Sequence, residues 1–206
     1  MGQKRNEKMK KMIKVTLPDG AVREYDDGAS PHDVAVSISN SLAKRVLAAK
    51  VDGEMYDLMR PLEGDVELAL VTAKDPEGLE LIRHDAAHVL AQAVQALYPD
   101  TQVTIGPVIE DGFFYDFARE TPFSSEDFEK IEKKMAEIVD ADYPIEREVW
   151  DKDQAIETFK SIGEDYKAQI IDDIIPPGEA ITVYRQGDWY ELCRGPHLPS
   201  NGELTN

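Results

Sequence analysis

Within Lys74-Asp75-Pro76-Glu77-Gly78 the chain concentrates proline, glycine and charge. That composition ends whatever element arrives from the N-terminal side and marks an exposed join between two compact units. A chain of 206 residues has room for a small domain before the join and an ordinary one after it, and the patterning differs on the two sides. Before it, KMIKVTLPDGAVREY sets Met12, Lys14 and Thr16 against Ile13, Val15 and Leu17, the period of two of a half-buried strand, and Pro18-Asp19-Gly20 turns the chain into a second strand. Ser30-Pro31-His32-Asp33 supplies an N-cap, a proline at the first helical position and an acid three residues on, with Val34, Ala35 and Ile38 following at helical spacing. VLAAKVDG, EMYDL and DVELALV then read as strands punctuated by Gly53 and Gly64. Residues 12–73 are expected to form a small sheet curled around one helix, with a disordered basic arm over residues 1–11.

Residues 74–206 mix helices with antiparallel strands, an α+β pattern. A helix is expected from about Glu77 to Leu97, with an apolar stripe through Ala86, Leu90, Ala93, Val94 and Leu97 and a stop at Tyr98-Pro99-Asp100. VTIGPVIEDGFFYDF reads as a hairpin with Asp111-Gly112 at a type I′ tip and its aromatic strand facing a buried surface. Ser124 or Ser125 caps a helix carrying Phe128, Ile131, Met135, Ile138 and Val139 on one face, and YPIEREVW follows as a strand. Asp151 with Gln154 opens a helix over Ala155–Ile162, ended by Gly163. After Pro176-Pro177-Gly178, AITVYRQGDWYELC gives two strands joined near Gly187.

The net charge is -18, which excludes a protein that coats nucleic acid through a basic surface; any such contact must be local. The charge is uneven: the first 72 residues hold 11 basic and 12 acidic side chains, so the deficit lies almost wholly in the second part. No uncharged apolar run approaches the roughly 18 residues of a membrane span, and the basic N-terminus has no apolar stretch behind it to make a secretory signal. A single cysteine, Cys193, excludes an intramolecular disulfide and fits a reducing compartment such as the cytoplasm.

Three of the four histidines and the only cysteine fall into two short motifs. His84 and His88 lie four apart on the helix, about 40° apart in projection, so they can share one ligand or one water. They sit off the apolar stripe, and taken alone the pair reads first as two solvated histidines. RHDAAH lacks the glutamate that follows the first histidine in zinc proteases, which lowers that class. The second motif is Cys193-Arg194-Gly195-Pro196-His197, where proline and glycine force a turn at a strand end. Together, three imidazoles and a thiol match a tetrahedral nitrogen and sulfur metal set, and the two motifs jointly point to a functional cluster. Glu191, two residues before Cys193, should face the same side of its strand. Arg194 could meet a phosphate or pair with one of the many acids; Lys167 and Tyr115 carry no signal from spacing, and His32 reads as a capping or exposed residue.

RHDAAH, IGPVIEDGFFYD, GEDYK and WYELCRGPHLP, in that order, resemble the N-terminal half of bacterial threonyl-tRNA synthetases, and VTLPDGAVREY, ASPHDVAVSIS and KVDGEMYDL resemble the TGS domain of that family. The resemblance implies a β-grasp-like TGS domain followed by an α+β editing domain with an antiparallel sheet and a central helix, and it leads one to expect that the editing domain is cut short at its C-terminus. It implies hydrolysis of serine wrongly esterified to threonine tRNA, since a missing methyl gives a synthetic site only about 10 to 200-fold discrimination. It carries His84, His88, Cys193, His197 and Lys167 over as catalytic residues and Tyr115 as the tyrosine beside the site; Glu191, which stands where many relatives have aspartate, and Arg194 are expected at the substrate.

His84 with Lys167 is the favoured water-activating group, with His88 and His197 positioning and Glu191 orienting; Cys193 as covalent nucleophile is a rival. No cofactor is required by this reading, although zinc could sit at the His84, His88, Cys193, His197 cluster, and ATP and a catalytic zinc belong to an aminoacylating core that this sequence lacks. The expected partner is the 3′ end of threonine tRNA carrying serine, with no membrane, and the piece is expected to be monomeric, whereas the resemblance implies a homodimer through the core for the full-length protein. Two other readings stay open: a tRNA-binding, domain-positioning module with a structural zinc site, and a zinc amidase unrelated to tRNA.

Overall fold

The computed structural model describes residues 11–176 and 178–205; of the basic arm expected over residues 1–11, all but Lys11 lies outside them. The chain divides between Thr72 and Ala73 into two compact units. In the first, β1 (Met12–Thr16) and β2 (Val22–Asp26) form the expected hairpin, α1 (Pro31–Ile38) and the single turn α2 (Asn40–Ala43) follow, and β3 (Val46–Val51), β4 (Glu54–Asp57) and β5 (Val66–Thr72) complete the sheet. Its order is β2-β1-β5-β3-β4, with the β1 and β5 pair parallel and the others antiparallel, a β-grasp arrangement. Alternation puts Ile13 and Val15 on the inner face, where they meet Val34 of α1 with Ala49, Leu62 and Leu68. Ser30 caps α1 in a reciprocal box with Asp33. Ile38, expected on the buried face, is exposed at the last position of the helix.

The second unit is built on α3 (Pro76–Leu97), followed by β6 (Gln102–Val103), β7 (Val108–Ile109), β8 (Gly112–Phe113), β9 (Phe117–Ala118), α4 (Ser125–Ala141), β10 (Ile145–Trp150), α5 (Lys152–Ser161), α6 (Asp165–Ile174), β11 (Ile181–Gln186), β12 (Trp189–Leu192) and a 3-10 turn over Asn201–Thr205. β10, β11 and β12 make an antiparallel sheet in that order. Trp150, Ile181 and Val183 of this sheet pack on Ala155 and Phe159 of α5 and on Ala168 and Ile171 of α6. Val89, Ala93 and Val94 of α3 pack on Ile131 and Ile138 of α4. α3 is therefore covered on more than the expected stripe, for Asp85, Ala87, His88 and Ala91 are buried as well. The two histidines are not solvated surface groups.

Three further expectations change. The hairpin tip is Glu110-Asp111, because Ile109 pairs with Gly112, and neither tip residue has the positive φ of a type I′ turn. Between the β6–β9 pairs and the β7–β8 pairs the register also slips by one residue. Phe128 is exposed on α4, and on the aromatic strand Phe114 is exposed while Phe113 is half-buried. Residues 165–174, which held no expected element, form α6, with Lys167, Ala168 and Ile171 on its buried face. Among the described residues no helix is long and apolar enough to cross a membrane.

Candidate active site

His84 and His88 project from the middle of α3 one turn apart, their ring centroids 4.7 Å from each other. Cys193 and His197 come from the segment that leaves β12. That segment can turn because Gly195 adopts φ +72° and because a Cβ there would overlap the Tyr184 hydroxyl; only glycine permits both. The turn lays His197 on the Tyr184 ring, centroids 4.1 Å apart, and brings it within 4.7 Å of the His84 ring and 4.6 Å of the His88 ring. The ligand atoms of His84, His88, Cys193 and His197 all lie within 4.8 Å of one another, and His84 Nε2 is 3.2 Å from Cys193 Sγ. Two motifs more than a hundred residues apart thus form one cluster, with His88 and His197 buried and His84 and Cys193 half-buried.

The electrostatics of the cluster are not those of four isolated groups. Burial works against a charged His197, but the Asp85 carboxylate at its Nδ1, 2.6 Å away, and the Cys193 sulfur together outweigh burial and raise its pKa to about 10. Burial alone would push the Cys193 thiol up; hydrogen bonds with His197, His84 and His88 overcome that and hold it well below its ordinary value. His88 is pushed down, first by burial and then by the neighbouring His197 charge, so it stays a neutral imidazole.

Beside this cluster stands a second group. Lys167, on the first turn of α6, and Glu191, on β12, are both buried and form an ion pair. The Tyr115 hydroxyl donates to Glu191 Oε2 at 3.2 Å, and its pKa is raised, first by burial and then by the Glu191 charge, which keeps it a donor. Glu191 acts on His88 and Cys193 acts on Tyr115 through their charges, so the two groups share one electrostatic environment. Behind them, Gln95 on α3 is bonded to Glu164 and accepts from Trp189 Nε1 at 2.7 Å. Arg194 is exposed at the rim. His32 belongs to the first unit, where it is half-buried in the first turn of α1.

The donor set fits a metal. Zinc takes nitrogen and sulfur ligands at about 2.0 to 2.3 Å, which places tetrahedral donors about 3.4 to 3.6 Å apart. A cluster spread to 4.8 Å closes on such an ion with small side-chain shifts, and a thiol already held low suits the thiolate that a metal requires.

One residue of the cluster went unread in the sequence. Asp85 is 1% exposed, and its carboxylate takes both His197 Nδ1 and the Leu198 backbone N–H. The available signal was an acid placed between two histidines on a helix that proves to be covered.

Two domain families match the chain. The TGS domain matches residues 13–72, and the Threonyl and Alanyl tRNA synthetase second additional domain matches residues 181–206. Over 193 residues, 94% of the chain, the sequence is 77% identical to a threonine-tRNA ligase of Hyphomonas neptunium, 63% to one of Maricaulis maris and 61% to one of Thiobacillus denitrificans. The chain spans 29 to 30% of the length of these relatives.

Proposed function

Because the chain corresponds to the N-terminal region of threonine-tRNA ligases, a TGS domain followed by an editing-type domain, we propose that its second unit hydrolyses the ester linking serine to threonine tRNA. The observation that carries this reading is the cluster of three imidazoles and a thiol with a buried Lys167–Glu191–Tyr115 group beside it. A structural metal site alone has no use for a buried ammonium, carboxylate and phenol.

Ester hydrolysis needs an activated water and a stabilised oxyanion. His84, half-buried at the mouth of the cluster, takes a proton from a water whose oxygen attacks the seryl carbonyl carbon. The carbonyl oxygen becomes an oxyanion as the tetrahedral adduct forms. Lys167 stands nearby as an ammonium held by Glu191; this pairing favours an electrostatic role over the base role first assigned jointly to His84 and Lys167. Collapse breaks the bond to the ribose oxygen, which takes back the proton, and serine leaves. Glu191 fixes Lys167 and Tyr115, and Arg194 at the rim is free to meet a backbone phosphate of the tRNA 3′ end. If a zinc ion were bound, His84, His88, Cys193 and His197 would hold it, and it would supply Lewis-acid chemistry in place of His84 as the base.

The low Cys193 thiol supports one alternative route, in which Sγ attacks the ester first and water clears a thioester. The first unit would add tRNA contact through its near-neutral surface, and the setting would be the cytoplasm.

The test is deacylation of serine-charged and threonine-charged threonine tRNA by the chain and by His84→Ala, with and without chelator. Serine release that the variant loses supports the reading, and trapped acyl-enzyme would select the thioester route. Absence of serine release at high enzyme concentration would sink it. The chelator arm reports whether the cluster works with metal.

A further inference from the structure

Asp85 has no part in the hydrolysis just described, yet it is a carboxylate buried to 1% exposure one residue from His84. Such a group is costly unless every oxygen is bonded. Both oxygens are: Oδ2 accepts from the Leu198 N–H at 3.0 Å and Oδ1 lies 2.6 Å from His197 Nδ1. The Leu198 amide can only donate, so it fixes which oxygen faces the backbone and leaves the other to His197. With Nδ1 committed as a donor to Oδ1, Nε2 is the nitrogen that faces His84, His88 and Cys193.

We infer that Asp85 is a positioning residue of the site: it holds the hydrogen on His197 Nδ1 and thereby presents Nε2 to the cluster as the one nitrogen able to exchange a proton or take a ligand. The inference rests on the reading of the cluster as the working site. Its physical basis is the general one that a histidine in such a site has its tautomer set by what its other nitrogen meets.

An amide at this position makes the consequence specific. In Asp85→Asn the Leu198 N–H again claims the oxygen, so the amide NH2 must face His197 Nδ1. A donor there forces Nδ1 to give up its hydrogen and accept, which leaves the one ring hydrogen on Nε2 and closes that nitrogen to the cluster. The side chain keeps its size and loses only the right tautomer, as in the carboxylate-to-amide change of a serine-protease triad.

The experiment reads the His197 ring nitrogens by 15N NMR in the whole chain, wild type and Asp85→Asn, alongside deacylation kinetics. The expected result is Nδ1 bearing hydrogen in the wild type and bare in the variant. The variant's kcat should fall about 10 to 100-fold with KM unchanged, and it should add no further loss to a His197→Ala chain. A bare Nδ1 in the wild type would overturn the inference without any variant. So would an unchanged Nδ1 signal in Asp85→Asn, or an equal loss with His197 already removed. If the wild type releases no serine, the reading of the site falls, while the nitrogen assignments still decide the part played by Asp85.

Discussion

Both units bury an apolar core, but among the described residues only the second buries charged side chains as well. Among the described residues of the first, Ser30 alone is a buried polar side chain, and its hydroxyl is spent on capping α1; the second buries Asp85, His88, Lys152, Glu164, Lys167, Glu191 and His197 among others. Apolar burial at roughly 25 cal/mol per Å² stabilises a fold whatever the fold does, whereas a buried charge costs stability unless it is paired. The first unit therefore shows what a chain spends on folding alone, and the second shows where something else is being held. Burial of a charge is not by itself a functional sign: Lys152 Nζ donates to the Asp172 carbonyl at 3.0 Å and the Ile175 carbonyl at 2.5 Å, closing the end of α6. What separates the His197 and Lys167 groups from Lys152 is that several ionisable side chains converge.

The sharpest way to break this contrast is to discharge the buried pair. Lys167→Met leaves Glu191 as an unpaired buried carboxylate and should destabilise the second unit by about 3 to 5 kcal/mol. Adding Glu191→Gln removes the second charge while leaving an acceptor for the Tyr115 hydroxyl, and most of that loss should return, because a buried ion pair is seldom worth more than a neutral replacement. Serine release should stay abolished in the double variant. Thermal unfolding and deacylation measured on the same samples decide it: a double variant that recovered both would make the pair structural, and the contrast between the units would be lost.

Legibility in the sequence follows the same division. Ile13, Val15, Val34 and the Ser30 cap were readable because local pattern and final burial agree in the first unit. Two of the four Asp-Gly dipeptides show where that agreement ends. Asp52-Gly53 forms a two-residue turn with φ of 52° and 91°, and the Asp52 carboxylate accepts from the Glu67 N–H at 2.8 Å to hold it. Asp111-Gly112 carries the same signal, but the strand pairing places Gly112 inside the ladder, so tertiary register overrides the dipeptide. The site was legible as far as residue type and spacing carry. His84, His88, Cys193 and His197 are rare residues in tight motifs. Asp85 and α6 were not, since acids abound in this chain and Lys167 declares itself only once Glu191, distant in sequence, meets it.

A pH scan of the metal-free chain gives a smaller and more selective effect. His197, raised to about 10, contributes stability that is full below 6.5 and is lost as pH rises through about 10. Cys193, held below its ordinary 9.0, contributes stability that is full above 9.0 and is lost as pH falls toward its lowered value. Just below 9.0 both groups act and their slopes cancel, so the thermal midpoint of the second unit should be flat there and fall above 9.0. In Cys193→Ala only the histidine remains, and the decline should begin near 6.5. A flat region that survives the loss of Cys193 would mean that thiol and imidazole are not coupled.

The smallest effect belongs to the first unit. Ser30→Ala removes the hydroxyl that accepts from the Asp33 N–H at 3.3 Å and should cost about 1 kcal/mol, the ordinary worth of an N-cap. Its pH dependence runs on the acid side. The Ser30 backbone N–H first, and the Ser30 hydroxyl second, lower the Asp33 pKa below 3.8, so that contribution is full above 3.8 and disappears as pH falls through the lowered value. Losing the hydroxyl leaves the larger, backbone cause in place, so the acid limb should shift only slightly, and serine release by the second unit should not change. A cap variant that cost as much as Lys167→Met, or that slowed hydrolysis, would show the two units are energetically one. A loss near 1 kcal/mol with intact hydrolysis would place the folding cost and the chemical cost in separate parts of the chain.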